Sequence, residues 1–200
     1  KQSGGSGQFG EVHLRVEPKG RGEGFEFIDA IKGGVIPGVF MPAVEKGVRQ
    51  ALADGIVAGY PVEDVKVTVY DGKTHPVDGK EIAFVSAAKK ATIQAIRNAK
   101  PIVLEPIVNI EIAIPQSHIG DLAGDLSGRR GHVTGTGEKS HDMASLSGEV
   151  PLSEIADYQS RLKSLTGGQG SYSIEFARYA AVPAHIQQQL ASQFELQEED

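Results

Sequence analysis

Val65-Lys66-Val67-Thr68-Val69-Tyr70, followed by Asp71-Gly72-Lys73-Thr74-His75-Pro76-Val77-Asp78-Gly79, is the stretch from which the fold can be read. Three valines alternate with Lys66, Thr68 and Tyr70, the period of two that a strand with one buried face requires. The polar, glycine-bounded run after Tyr70 reads as a loop. From Glu81 to about Asn98 the period becomes helical, with Phe84, Ala88, Ala91 and Ala95 as the expected buried face. Toward the N-terminus, a helix from about Val39 carries Val44, Val48 and Leu52 at i+4 steps. It accepts Pro42 in its first turn and stops at Asp54-Gly55. Gly33-Gly34 breaks the chain before it. Earlier still, Val12, Leu14 and Val16 alternate with His13, Arg15 and Glu17, and Phe25, Phe27 and Ala30 suggest a second strand. The first half therefore reads ββαβα.

Lys100-Pro101 closes that pattern and a new one begins. Val108, Ile110, Ile112 and Ile114 form a strand, and a helix from about Gln116 stops at Gly128 or Gly131. Two shorter strands flank a polar turn at 137–141. A second helix starts near Pro151-Leu152-Ser153, runs through Ile155, Leu162 and Leu165, and ends at Gly167-Gly168. Its spacing puts Leu152, Ile155 and Leu162 in the core. Tyr172, Ile174 and Phe176, alternating with Ser173 and Glu175, make the last strand. The order βαββαβ is the split ferredoxin-like arrangement. Pro183 then opens an amphipathic helix with Ile186, Leu190 and Phe194 on one face, and an acidic tail expected to be disordered follows. The fold class is α+β in two domains, divided as 1–103 and 104–181, with a C-terminal helix at 182–194 and the tail at 195–200.

Composition narrows the function. A chain of 200 residues suits two modules of about 100 each. No apolar run approaches the roughly 20 residues of a membrane span, and no signal peptide is visible. The start at Lys1-Gln2-Ser3, without methionine, suggests a fragment. There is no cysteine, so disulfides and thiolate metal sites are excluded, as suits a reducing cytoplasm. None of the six histidines stands at the i, i+4 spacing of a helical metal pair, and no metal is expected. The net charge of −6 is unevenly spread: 14 Lys+Arg against 12 Asp+Glu in residues 1–103, and 6 against 14 in 104–200. Without a global basic excess, any RNA contact must be local and shape-based.

One motif misleads. Gly5-Ser6-Gly7-Gln8-Phe9-Gly10-Glu11-Val12 matches the phosphate loop of protein kinases, and Ala30-Ile31-Lys32 resembles the strand bearing the kinase lysine. Phosphoryl transfer also needs a catalytic-loop aspartate, an asparagine and an Asp-Phe-Gly, and the rest of the chain has neither an H-R-D nor a D-F-G. The glycines precede a strand instead of linking strand to helix, so they are no dinucleotide fingerprint either, and no P-loop sequence exists.

A longer pattern accounts for the same glycines. Lys1-Gln2-Ser3-Gly4-Gly5-Ser6-Gly7-Gln8-Phe9-Gly10 resembles the start of domain IV of bacterial elongation factor G. So do Gly33-Gly34-Val35-Ile36-Pro37, Ala58-Gly59-Tyr60-Pro61-Val62, and Asp71-Gly72 through His75 to Val77-Asp78. The second half is similar to domain V of that family in Leu104-Glu105-Pro106-Ile107, Gly120-Asp121, Gly124-Asp125, Arg129-Arg130-Gly131 and Val150-Pro151-Leu152-Ser153-Glu154. The likeness runs in order from residue 1 to 194. It implies a first domain resembling the second domain of ribosomal protein S5, with a left-handed βαβ crossover that departs from the usual handedness. It also implies work on the ribosome during elongation. The tip of the first domain would enter the small-subunit decoding site with tRNA and mRNA, and the second would lie near the stalk base and sarcin–ricin loop of the large subunit. GTP and magnesium would belong to a front part outside this chain, a GTP-hydrolysing one. Here no cofactor and no catalytic residue are expected, and a cytoplasmic monomer without membrane partners is.

By that resemblance the tip is built from two loops. The first is Gly4, Gly5, Ser6, Gly7 and Gln8, whose small residues let backbone amides approach a phosphate backbone. The second, residues 73–78, carries Lys73, Thr74 and His75, whose imidazole can stack on a base or donate to a 2′-OH or phosphate. In the second domain, Arg129 and Arg130 fit two roles equally: a clamp on RNA phosphates, or a cap facing the helix dipole. Lys163 and Gln169, beside Gly167-Gly168, mark a further candidate RNA surface or a plain turn. Three positions depart from the family pattern. Ser6 stands where a basic residue is frequent, Pro76-Val77-Asp78-Gly79-Lys80 replaces a serine-rich stretch, and Gln169 stands where arginine is common. Each reduces or moves positive charge. A divergent paralogue acting in recycling or ribosome protection is therefore an alternative, as is a non-ribosomal adaptor whose acidic second domain binds protein.

Overall fold

The computed structural model describes residues 7–140 and 142–194. Gly4, Gly5 and Ser6 of the first expected loop, His141 and the acidic tail at 195–200 lie outside them. The described residues fall into two compact units, 7–103 with 184–194, and 104–183.

In the first unit the elements are β1 (Glu11–Pro18), β2 (Glu26–Asp29), α1 (Met41–Asp54), β3 (Val65–Lys73) and α2 (Glu81–Asn98), joined by the C-terminal α5 (Ala184–Ser192). The sheet order is β1-β3-β2, with β1 antiparallel and β2 parallel to the central strand. Val67 and Val69 of β3 are fully buried in one cluster with Val44, Val48, Phe84 and Ala88. Phe40 stacks on Phe84 at 4.8 Å between ring centroids. The two helices touch at Gly47, where an added Cβ would stand 2.2 Å from the Val85 carbonyl oxygen, so only glycine allows this approach.

Three expectations for this unit change. The buried row of α2 is Phe84, Ala88, Thr92 and Ile96, a strict i+4 series, while Ala91 and Ala95 are half-buried. Thr92 can sit inside because its hydroxyl donates to the Ala88 carbonyl at 2.8 Å. Secondly, β3 continues through Asp71, Gly72 and Lys73, which pair with His13, Val12 and Glu11, so the loop begins only at Thr74. A bulge between His13 and Leu14 absorbs the change of register. Thirdly, Ile31 and Lys32 lie beyond the end of β2 and belong to no strand.

The second unit comprises β4 (Leu104–Pro115), α3 (Ile119–Gly128), β5 (His132–Ser140), β6 (Met143–Pro151), α4 (Tyr158–Thr166) and β7 (Ser171–Ala181). The four strands are antiparallel in the order β5-β6-β4-β7. Ile110, Ile112 and Ile114 of β4 pack with Leu122, Leu126, Leu146, Tyr158 and Leu162. The strands around the expected polar turn are nine residues each, and residues 137–140 are part of β5. Between β6 and α4 the chain makes a separate 3-10 turn, Leu152–Ile155. Leu152, expected in the core, is 41% exposed: it follows β6 directly, before the chain has turned back over the sheet. Ile155 and Leu162 are buried. Gly167 ends α4 in the left-handed conformation. Among the described residues, no helix is long and apolar enough to cross a membrane.

Candidate nucleic-acid interface

The β1–β3 ladder ends where Glu11 faces Lys73. Two chain segments emerge there together, residues 7–10 leading into β1 and 74–80 leaving β3. They are tied by the Phe9 amide, which donates to the Asp78 carbonyl at 2.7 Å, and by a parallel bridge between Phe9 and Gly79. Gly7 lies against the Asp78 carboxylate, and an ideal Cβ there would come within 2.9 Å of it. The described part of the glycine loop and the histidine loop thus form one surface, and Gln8, Phe9 and His75 are exposed on it.

His75 is held from three sides. Its Nδ1 lies 3.3 Å from the Val77 amide, 3.2 Å from the Asp78 amide and 3.3 Å from Asp78 Oδ2. Its carbonyl accepts the Gly79 amide at 2.8 Å, which closes the loop. The Phe9 ring approaches its imidazole edge-on at 6.4 Å between centroids. Lys73 is exposed, with its ammonium 3.9 Å from Glu11 Oε2, and Thr74 is half-buried. The tip therefore offers an aromatic pair and backbone groups, with the Glu11 carboxylate beside Lys73 and the Asp78 carboxylate beside His75.

The second unit's candidates separate into two places. Arg129 and Arg130 follow α3, and their guanidinium groups turn inward. Arg129 donates to Asp125 at 3.0 Å, to the Glu154 carbonyl at 2.6 Å and to Asp157 at 2.8 Å, and it lies over the Tyr158 ring at 5.3 Å. Arg130, at a positive φ of 59°, forks both Glu105 oxygens at 2.6 and 2.9 Å and reaches Glu154 at 2.8 Å. Arg161 holds the other oxygen of Asp125 at 2.9 Å. These contacts keep the Asp157 carboxyl below the usual carboxylate range, chiefly through the Arg129 hydrogen bond. They tie α3, the 3-10 turn, α4 and the start of β4 together. Lys163 and Gln169 instead stand exposed around the C-terminal end of α4, where the Gly168 amide bonds the Lys163 carbonyl and the Gln169 amide that of Thr166.

Phe9 at the tip, and Glu105, Asp125, Glu154 and Asp157 in the network, are not among the site residues expected from the sequence, and Asp78 is expected only as the end of the histidine loop. Glu105, Asp125 and Glu154 stand inside quoted motifs, but their partners are distant in sequence, so spacing gave no sign of the pairing.

A family profile described as Elongation factor G, domain IV, matches residues 1–100, and one described as Elongation factor G C-terminus matches residues 102–190. An Elongation factor G-like protein of Thermotoga maritima is 44% identical over the whole chain, which spans 30% of that protein's length. A crystal structure of a Thermus thermophilus protein superposes with a TM-score of 0.74 at 40% identity, over 96% of this chain and 29% of that one.

Proposed function

The chain belongs to the elongation factor G family, and from its domain IV and C-terminal domain we propose that it is the ribosome-engaging part of a translational GTPase. In this reading the tip enters the decoding site and promotes movement of tRNA and mRNA during elongation, while GTP and magnesium are handled by a front part of the parent protein. The observation that carries it is the tip itself: two loops bound edge to edge, with His75 exposed at their apex and fixed by the chain around it. Such a site suits RNA, because an imidazole can stack or donate without net positive charge.

Arg129 and Arg130 take a different part in the proposal. Their hydrogen bonds to Asp125, Glu105, Glu154 and Asp157 make them braces of the second unit. Lys163 and Gln169 are the exposed candidates left on it. Ribosome cosedimentation of the full-length protein across a salt series tests the reading. A ribosome binder weakens steeply with salt as phosphate contacts release counterions. Binding that ignores salt would favour a protein-binding adaptor. The carboxylates at the tip, Asp78 beside His75 and Glu11 beside Lys73, support the paralogue alternative. GTP-dependent subunit splitting without translocation would assign that role.

A further inference from the structure

We propose that Phe9 is the positioning residue of His75, and that with the Val77 and Asp78 amides it fixes the imidazole as the neutral tautomer with its Nε2–H directed outward. The inference about what that donor meets rests on the ribosomal reading; the inference about the ring does not. Two contacts carry it, against a third. Both amides point at Nδ1, at 3.3 and 3.2 Å, so Nδ1 serves them as an acceptor and cannot bear a proton of its own. Asp78 Oδ2, also 3.3 Å away, would instead reward a proton on Nδ1, but that proton would face two N–H groups. The amides outnumber the carboxylate and are fixed by the loop closure between Gly79 and His75.

With Nδ1 engaged, the ring's proton sits on Nε2, which has no hydrogen-bond partner among the described residues. Side-chain exposure of 52% leaves it open to an incoming ligand. Phe9 sets the ring plane: its own backbone is bonded to Asp78 and bridged to Gly79, and its ring meets the imidazole at 64°. The tip therefore presents one aimed, uncharged donor with a carboxylate close behind it. The ligand chemistry this fits is an oxygen or nitrogen acceptor of RNA that is itself uncharged, a 2′-hydroxyl or a base edge, since a phosphate would be repelled by Asp78.

Long-range proton–nitrogen spectra of the His75 ring in this chain test the proposal at neutral pH. The wild type is expected to show the Nε2–H tautomer alone. Phe9→Leu should give a tautomer mixture with the remaining amide spectrum unchanged, Phe9→Tyr should restore the single form, and Asp78→Asn should leave it intact. A proton on Nδ1 in the wild type, or an unchanged ring in Phe9→Leu, would overturn it. In the full-length protein, Phe9→Leu should slow tRNA movement about tenfold, the worth of one neutral hydrogen bond. It should add nothing on a His75→Ala background. Additive losses would make Phe9 merely structural. A wild type that moves no tRNA would remove the ribosomal reading while the spectra still decide the role of Phe9.

Discussion

Tyr158 is fully buried, yet its hydroxyl has no hydrogen-bond partner among the described residues. Burial, with the nearby Asp125 charge, pushes its pKa from 10.0 to about 12. The folded value lies above the unfolded one, so stability is full below pH 10 and falls as pH rises from there toward 12. Tyr158→Phe should remove that alkaline loss and raise stability by about 1 kcal/mol, because an unsatisfied buried hydroxyl goes with it. Urea titrations at neutral pH and above pH 10 measure both. Arg130 illustrates the opposite case, a polar group fully used. Arg130→Ala leaves the buried Glu105 without its fork and should cost about 2 kcal/mol, with Arg130→Lys recovering only part. At acid pH, Asp64, lowered by the Gly22 and Gly24 amides, and Asp157 behave alike. Their contribution is complete above the unfolded value of 3.8 and is lost as pH falls below it through the lower folded values. Asp64→Asn should therefore flatten acid unfolding in that range. None of these roles was legible from residue type. Arg129-Arg130 fitted a phosphate clamp and a helix cap equally, and the bracing they provide was in neither reading, because the carboxylates of Glu105 and Glu154 stand 25 and 24 positions from Arg130.

The limits of α2, Glu81–Asn98, agree with those read from the sequence, because Gly79 and Lys100-Pro101 bracket a strong period. Its packing against α1 rests on Gly47, and Gly47→Ala should destabilise the first unit by about 1–3 kcal/mol, as overpacking does. Thermal unfolding followed by circular dichroism would show it as a lower midpoint with unchanged secondary structure. Where the reading of elements slipped, tertiary pairing outweighed local signals. Asp71-Gly72-Lys73 has turn composition but is held in the ladder by Glu11, Val12 and His13. Residues 137–140, Gly-Glu-Lys-Ser, are polar and open on a glycine, yet they pair with β6. From sequence the 3-10 turn after Pro151 reads as one helix with α4, because Leu152, Ile155 and Leu162 share a helical spacing that the chain does not follow.

At the scale of the molecule, the order ββαβα then βαββαβ was readable because hydrophobic period changes at each boundary. The place of α5 was not. Gln187 on that helix accepts the Val103 amide at 2.9 Å and donates to the Pro101 carbonyl at 3.1 Å, and Phe194 lies against Gly59. These contacts group α5 with the first unit, across more than eighty residues of sequence, a distance at which no period or cap gives warning. Family membership covers both units; the proposal is that the first reaches RNA with the aimed imidazole of His75, while the second is braced by its arginines. The measurement that tests this most directly is single-round tRNA–mRNA translocation by the full-length protein with GTP, wild type against His75→Ala. Fast movement by the wild type is expected, lost in the variant while its melting temperature stays unchanged, since loop-tip substitutions cost within about 0.5 kcal/mol. Ribosome-stimulated GTP hydrolysis without movement by the wild type, or movement that survives His75→Ala, would contradict it.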